Sequence, residues 1–156
     1  MLFSVFEIDK SILAVPIPSV LEITRLGKLH KVRGAENSVS GLTNLRGKIV
    51  TILDGGLIIN LRKAQITSES RIIIFKNKSE LGATFKDVDN LVIPNENIGI
   101  LVDKIRQVMN VDEDKLDNVP ANLRSPFIDQ VFSFEKDYIS VVDPFKLINQ
   151  RSRKEK

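Results

Sequence analysis

Residues 40–53, SGLTNLRGKIVTIL, decide the fold, because they place a tight polar turn directly before an apolar strand. Glycine at each end of the turn, Gly41 and Gly47, permits backbone conformations that other residues avoid. The apolar run that follows is rich in β-branched residues with little alternation, which predicts a strand buried on both faces. The turn carries two strongly polar side chains, Asn44 and Arg46. They form either a recognition device or an ordinary hairpin with a structural arginine.

The composition excludes several classes of protein. The 156 residues suffice for one domain with a substantial core. The chain has no cysteine, which excludes disulfides, thiolate nucleophiles and cysteine metal sites. Its single histidine, His30, lies in a polar segment with no candidate nucleophile at a defined spacing, and glycine-rich phosphate motifs are absent. The sequence therefore predicts a protein that is not an enzyme and that binds neither a metal ion nor another cofactor.

The positive charge of the chain is confined to its last residues. Residues 151–156 carry four basic and one acidic side chain, whereas residues 1–150 carry 19 of each. A neutral body with 6% aromatic residues argues against nucleic-acid binding, and the basic tail is predicted to be flexible. The first residues lack the features of a signal peptide, and no apolar run is long enough to cross a bilayer. These features predict a cytoplasmic protein without direct membrane insertion.

Nine or ten short apolar segments, separated by turn residues, predict a mostly β protein, either small barrels or a sandwich. Beside the opening stretch, apolar segments with strand character are found at 2–8, 12–17, 20–26, 71–75, 97–102, 105–111, 128–134 and 138–142. The segment 20–26, VLEITRL, alternates and places Glu22 on an otherwise β-branched face. A carboxylate in that position either faces water or has a cationic partner.

Three other segments carry specific local predictions. The Asp-Gly-Gly sequence at 54–56 predicts a turn, followed by an apolar segment at 57–61. Residues 76–96 are polar with scattered apolar positions and predict either a hairpin or a long loop. Asp143 followed by proline predicts the start of a short closing helix at 145–150, with the aspartate as its cap.

The order of these motifs resembles the CheW-like family, the adaptor proteins of bacterial chemotaxis. The motifs are FxVFxI at 3–8, AVPIxxVLEI at 14–23, GLTNLRG at 41–47, IVTILD at 49–54, IGILVD at 98–103 and VVDPFKLI at 141–148. The resemblance covers residues 2–148. It implies one domain over residues 1–150, built as two small five-stranded SH3-like β-barrels packed side by side with a short C-terminal helix, and a separate tail at 151–156.

The resemblance also implies a non-catalytic scaffold without a cofactor. Proteins of this family couple the cytoplasmic tips of chemoreceptors to the regulatory domain of the chemotaxis histidine kinase. The implied location is the cytoplasm, with recruitment to membrane-associated chemoreceptor arrays and ring or lattice contacts with the kinase or with other copies. The alternative is that the same module serves another kinase-linked system, such as a pilus-type pathway, or acts as a specialised paralogue.

The resemblance implies eight receptor-binding residues at the groove where receptor tips dock, and seven of them match the family's motifs. The eight are Ile17, Val20, Glu22, Gly41, Thr43, Asn44, Arg46 and Val102. In the family the glutamate and the arginine tend to pair, which would give the Glu22 carboxylate its partner. The kinase-facing surface is carried mainly by the first barrel, and the resemblance does not assign it to residues.

The sequence departs from the family pattern near this groove. Thr43 stands where an apolar residue is usual, and Gly55-Gly56 replaces a leucine and an arginine. Arg33 and Glu36 occupy a loop that normally carries prolines. These departures predict an unchanged fold with a different choice of partner.

Overall fold

The computed structural model describes residues 1–60, 62–82 and 92–154, with the side chains of these residues except 123 and 150–154. The strands of the described part are β1 (Leu2–Ile8), β2 (Ser11–Pro16), β3 (Val20–Arg25), β4 (Val39–Leu45), β5 (Lys48–Asp54), β6 (Arg71–Phe75), β7 (Ile98–Val102), β8 (Lys104–Asn110), β9 (Asp117–Asn118), β10 (Ile128–Phe134) and β11 (Asp137–Val142). Its helices are α1 (Gly55–Asn60), α2 (Lys78–Leu81) and α3 (Pro144–Lys154).

The strands form two mixed sheets. A six-stranded sheet has the order β8-β1-β2-β11-β10-β9, and a five-stranded sheet has the order β3-β6-β7-β5-β4. Two neighbouring pairs are parallel, β2 with β11 and β5 with β7. Both ends of the chain contribute to the six-stranded sheet, while the stretch between them builds the other. The prediction of a mostly β protein is confirmed, and the strands predicted at 2–8, 71–75 and 128–134 have the predicted bounds.

The strand pairing does not support the predicted pair of closed five-stranded barrels. One sheet has six strands, and in neither sheet does the described hydrogen-bond ladder join the two edge strands. In the five-stranded sheet a single bridge pairs His30 with Leu42 of β4, with both N–H···O=C distances at 2.8 Å. A closed barrel needs continuous pairing around the sheet. The sequence does not specify such pairing, because alternation predicts which side chains face inward and not which strands are neighbours.

The core lies mainly between the two sheets, where apolar side chains from both sheets and from α3 pack together. Strand β5 sends Leu53 into this inter-sheet core, whereas Val50 and Ile52 join a second cluster on the opposite face of their sheet. This arrangement follows from the alternation of side chains along a strand. The predicted burial on both faces is therefore confirmed for these residues, whereas Ile49 before them is 68% exposed.

The segment predicted as a turn at 54–56 followed by an apolar run forms helix α1 instead. Asp54 is buried, and its Oδ1 accepts a hydrogen bond from the backbone N–H of Leu57 at 3.1 Å, as an N-cap residue does. A Cβ on Gly55 would lie 2.6 Å from a carbonyl oxygen of β7, and one on Gly56 would lie 2.4 Å from a carbonyl oxygen of the loop after α1. Glycine is a weak helix former, so the local sequence indicated a turn. The packing of the helix against its neighbours overrides that preference.

The described part of residues 76–96 contains helix α2 rather than a hairpin or a loop alone, and residues 83–91 lie outside the described residues. Asn77 caps the helix: its side chain accepts a hydrogen bond from the backbone N–H of Glu80 at 2.9 Å. The Glu80 side chain in turn accepts one from the backbone N–H of Asn77 at 2.9 Å. This reciprocal capping box satisfies two backbone donors and determines where the helix begins.

The closing helix begins where the sequence predicts. The Asp143 Oδ1 accepts hydrogen bonds from the backbone N–H groups of Phe145 at 3.0 Å and Lys146 at 3.2 Å. Helix α3 continues to Lys154, past the predicted end at 150, and buries three apolar side chains in the inter-sheet core. The flexibility of the tail at 151–156 stays a prediction. No helix in the described ranges is long and apolar enough to span a membrane.

Candidate partner-binding site

The turn predicted between Gly41 and Gly47 is shorter in the structure, because residues 41–45 belong to strand β4, and it is a two-residue hairpin loop. Leu45 of β4 pairs with Lys48 of β5, so that Arg46 and Gly47 form the loop between them. Their φ angles are 51° and 84°, and a type I′ turn requires positive φ at both of these positions. The Asn44 Oδ1 accepts a hydrogen bond from the backbone N–H of Gly47 at 2.9 Å. The Asn44 amide therefore stabilises the turn, and the turn holds Arg46 at its tip.

Glu22 and Arg46 form an ion pair that connects the two edge strands of the five-stranded sheet. Glu22 lies on β3 at one edge, and Arg46 directly follows β4 at the other. The Nη2–Oε1 distance is 3.2 Å, a hydrogen bond, and the Nη1–Oε2 distance is 3.1 Å, an electrostatic contact. The Arg46 side chain is 76% exposed and that of Glu22 is 24% exposed. The sheet thus coils far enough to bring its open edges within side-chain reach.

A second carboxylate lies close to the hairpin. Burial opposes the ionisation of Glu80, but hydrogen bonds from the Asn77 backbone and the Asn97 side chain, with the charges of Lys48 and Lys76, lower its pKa below the ordinary value of 4.5. The distance from the Asn97 Nδ2 to the Glu80 Oε1 is 2.6 Å. Lys48, the first residue of β5, therefore lies within electrostatic reach of Glu80. This carboxylate was not among the predicted site residues, although the Asn-x-x-Glu spacing at 77–80 is a readable capping signal.

Gly41 and Thr43 differ in accessibility although both lie on β4. Gly41 is buried, and a Cβ there would lie 2.7 Å from the carbonyl oxygen of His30, which leaves room only for glycine. Thr43 is half-buried and pairs with Val50 of β5. Gly41 therefore positions the backbone beneath the surface, and Thr43 remains partly accessible to a partner.

The three apolar residues of the predicted site also differ in accessibility. Ile17 is the first residue of a short 3-10 turn, Val20 directly follows that turn as the first residue of β3, and both are half-buried. Val102 is fully enclosed in the inter-sheet core. The structure therefore joins Glu22 and Arg46 directly, keeps Ile17 and Val20 partly accessible at the start of β3, and places Val102 beneath the surface.

Two exposed apolar side chains on strands β3 and β5, close in sequence to Glu22 and Arg46, were not among the predicted residues. Leu21, which precedes Glu22, is 36% exposed, and Ile49, which pairs with Asn44 across the hairpin, is 68% exposed. The run of apolar residues predicted that Ile49 would be buried. The sequence signal for its exposure is its place beside the hairpin loop, where strand β5 extends beyond the core.

The chemistry that this site offers is recognition. A guanidinium is held on a two-residue turn beside a carboxylate. Elsewhere, Asp54 lies at a cleft of about 500 Å³, but its oxygens accept hydrogen bonds from the backbone N–H groups of Leu57 and Ala64 at 3.1 to 3.2 Å. These bonds give Asp54 a structural role. The residues described by the structure include no group of three or more acidic, histidine or cysteine side chains that could hold a metal ion.

Relatives of the chain cover most of its length. Chemotaxis protein CheW of Bacillus subtilis (strain 168) is 24% identical over 151 residues, which are 95% of this chain and 86% of the relative. Chemotaxis protein CheW of Treponema pallidum (strain Nichols) is 22% identical over 149 residues, which are 94% of this chain and 81% of the relative. Chemotaxis protein CheW of Thermotoga maritima is 28% identical over 112 residues, which are 72% of this chain and 63% of the relative.

The fold is also found among solved structures. The crystal structure of the scaffolding protein TtCheW from Thermoanaerobacter tengcongensis matches with a TM-score of 0.75 at 20% identity, over 94% of this chain and 86% of that one. The family model described as the CheW-like domain matches residues 3–152. Because this match spans nearly the whole length, the chain belongs to the family of proteins with a CheW-like domain.

Proposed function

We propose that this protein is a non-catalytic chemotaxis scaffold. It couples the cytoplasmic signalling tips of chemoreceptors to the regulatory domain of a chemotaxis histidine kinase, and through the receptors it is recruited to membrane-associated arrays. The proposal is supported by the CheW-like domain over residues 3–152 and by relatives named chemotaxis protein CheW. A neighbour of the same fold is described as a scaffolding protein.

The observation that carries the proposal is the geometry of Arg46. Its guanidinium is 76% exposed, yet the Glu22 carboxylate and the type I′ turn hold it at one position. A charged group that is already ordered loses little conformational entropy when a partner binds, which favours its use in recognition. The half-buried Thr43, which lies opposite Val50, supplies further contact surface on the same hairpin, whereas the exposed Ile49, opposite Asn44, lies on the other face.

In this proposal the eight predicted residues have two kinds of role. Arg46, Thr43, Ile17 and Val20 contact the helical hairpin of a receptor tip, because they are wholly or partly accessible. A second group orders the surface from within: Glu22 orients the arginine, Asn44 the turn, Gly41 the adjacent backbone, and Val102 the strand beneath. An amphipathic helix docks on such a surface through a few apolar anchors and a charged rim.

Binding measurements with purified fragments test the proposal. The full chain is titrated with receptor signalling fragments and with the kinase regulatory domain of the same organism, and we expect it to bind both. Arg46→Ala should weaken receptor binding by about tenfold. Lys136→Ala is the matched control, because Lys136 is an exposed cation in the turn between β10 and β11. A chain that binds neither the receptor fragments nor the kinase regulatory domain would overturn the proposal.

A further inference from the structure

The free edge of the six-stranded sheet is a second interaction surface. Strand β8 pairs with β1 on one side, and it has no strand neighbour among the described residues on the other. It is seven residues long, whereas β9 at the opposite edge has two. A long edge strand presents a row of unpaired backbone donors and acceptors, which is a template for another strand.

The register of β8 on β1 shows which backbone groups face outward. The backbone N–H and C=O groups of Val111 bond to the carbonyl and the amine of Met1, each at 3.0 Å. In an antiparallel ladder such mutually bonded pairs alternate with pairs whose groups point away from each other. The pairs Leu2↔Asn110 and Ser4↔Val108 are of this second kind, because they lie one and three positions from the bonded pair Met1 and Val111. The N–H and C=O groups of Val108 and Asn110 therefore point away from β1.

The charges along this edge are complementary to those of an antiparallel second copy. The first half of β8 carries the exposed cations Lys104 and Arg106. The exposed carboxylates of Asp112, Glu113 and Asp114 follow its end. Edge cations normally deter pairing between copies of a strand. An antiparallel copy, however, would bring the basic start of one strand beside the acidic end of the other.

We propose that two copies of this chain associate by antiparallel pairing of their β8 strands about a two-fold axis at Val108. In that register Arg106 lies opposite Asn110 of the second copy, at the point where the pairing of β8 with β1 shifts by a bulge, and Lys104 lies near Asp112. The Val108 side chain, which is 59% exposed in one copy, becomes covered at the axis. The dimer is isologous and therefore closed, so it is distinct from ring or lattice contacts and does not depend on the proposed chemotaxis function.

Formation of the dimer would exchange one ion pair within the chain, that between Lys104 and Glu69, for one between the copies. The Lys104 Nζ lies 3.4 Å from the Glu69 Oε2 of the same chain, with side chains 50% and 62% exposed. An ion pair of that exposure contributes little to stability. Its rearrangement toward Asp112 of the second copy therefore does not oppose association strongly.

Sedimentation velocity of the full chain, from about 10 µM to about 500 µM, tests the proposal by mass action. We expect a reversible monomer–dimer equilibrium that weakens at high salt, because the paired charges are exposed. Val108→Pro should abolish the dimer: proline removes the outward N–H and takes no hydrogen bond from the β1 ladder. A wild-type chain that stays monomeric over this range would overturn the proposal.

A charge exchange makes the test independent of the proline variant, should that variant fail to fold. Lys104→Glu/Arg106→Glu and Asp112→Lys/Glu113→Lys should each weaken self-association by about tenfold, because like charges then meet. An equimolar mixture of the two variants should regain the wild-type affinity, since the opposite charges face each other again. Far-UV circular dichroism confirms that both are folded. Unchanged dimerisation of each variant alone, or no recovery in the mixture, would contradict this pairing.

Discussion

Removing the Glu22–Arg46 ion pair should weaken binding to a receptor fragment while changing the free energy of unfolding only slightly. The two side chains are joined at 3.1 and 3.2 Å, which corresponds to about 1.3 kcal/mol for unit charges in a medium with the permittivity of water. Salt screening and the ordering of two long side chains reduce exposed pairs to about 0.2–1 kcal/mol. Because Arg46 is 76% exposed, we expect a coupling free energy of about 0.5 kcal/mol.

The assay is a double-mutant cycle. Glu22→Ala, Arg46→Ala, the double variant and the wild type are unfolded in urea and followed by far-UV circular dichroism, because the chain has no tryptophan. Arg46 has a positive φ of 51°. Any change in the backbone cost of the turn on replacement by alanine is common to the single and the double variant, so it cancels in the cycle. At about 1 M salt the coupling should fall toward zero, because the screening length is then about the length of the contact.

The same four proteins are then titrated with a receptor signalling fragment. Each single variant should lose about tenfold in affinity, and the double variant should lose no more than either, because the two residues act as one unit. A coupling above about 2 kcal/mol in unfolding would show instead that the pair holds the sheet edges together. Equal receptor affinity in all four proteins would refute the role of Arg46 in partner contact.

Three further predictions concern stability. Glu80→Gln should lose most stability relative to wild type above pH 4.5, and the loss should shrink at lower pH. The pKa of the Glu80 carboxyl is lowered in the folded protein, so its stabilising contribution disappears as it protonates. Urea unfolding across pH 3–7 measures this difference. Gly56→Ala should lower the free energy of unfolding by about 1–3 kcal/mol, because a Cβ would lie 2.4 Å from a backbone oxygen. Gly27→Ala is the control and should change it little, because no atom lies within 4 Å of a Cβ there. Thermal unfolding compares the two variants. Asp143→Ala should cost about 1 kcal/mol in urea unfolding through loss of the cap of α3, and Asp143→Asn should restore most of it.

Local chemistry accounts for the features that the sequence predicted well. The Arg46-Gly47 turn, the Asp143 cap and the bounds of β1, β6 and β10 depend on residues within a few positions of one another. Turn and cap preferences operate over that distance. The same local reasoning was wrong for residues 54–60, where the glycines indicated a turn and packing against β7 produces a helix.

The candidate site was only partly accessible to sequence reasoning. Family resemblance supplied Glu22 and Arg46 as a pair, and the structure brings them into contact. Burial, however, is a property of the assembled sheets. The sequence therefore did not distinguish the enclosed Val102 from accessible members of the site, and it placed the exposed Ile49 inside the core.

By itself the sequence determined the β class, the hairpin turn and the closing helix, because each is specified by alternation or by a cap within one segment. Only the tertiary structure decided that the described strands form sheets of six and five with open edges, and that an ion pair connects β3 to the turn after β4. It also decided that β8, which pairs with β1 on one side, has no strand neighbour among the described residues on the other. These features depend on contacts between residues far apart in the chain. Such contacts are set by the packing of both sheets on one shared core, which no local pattern encodes.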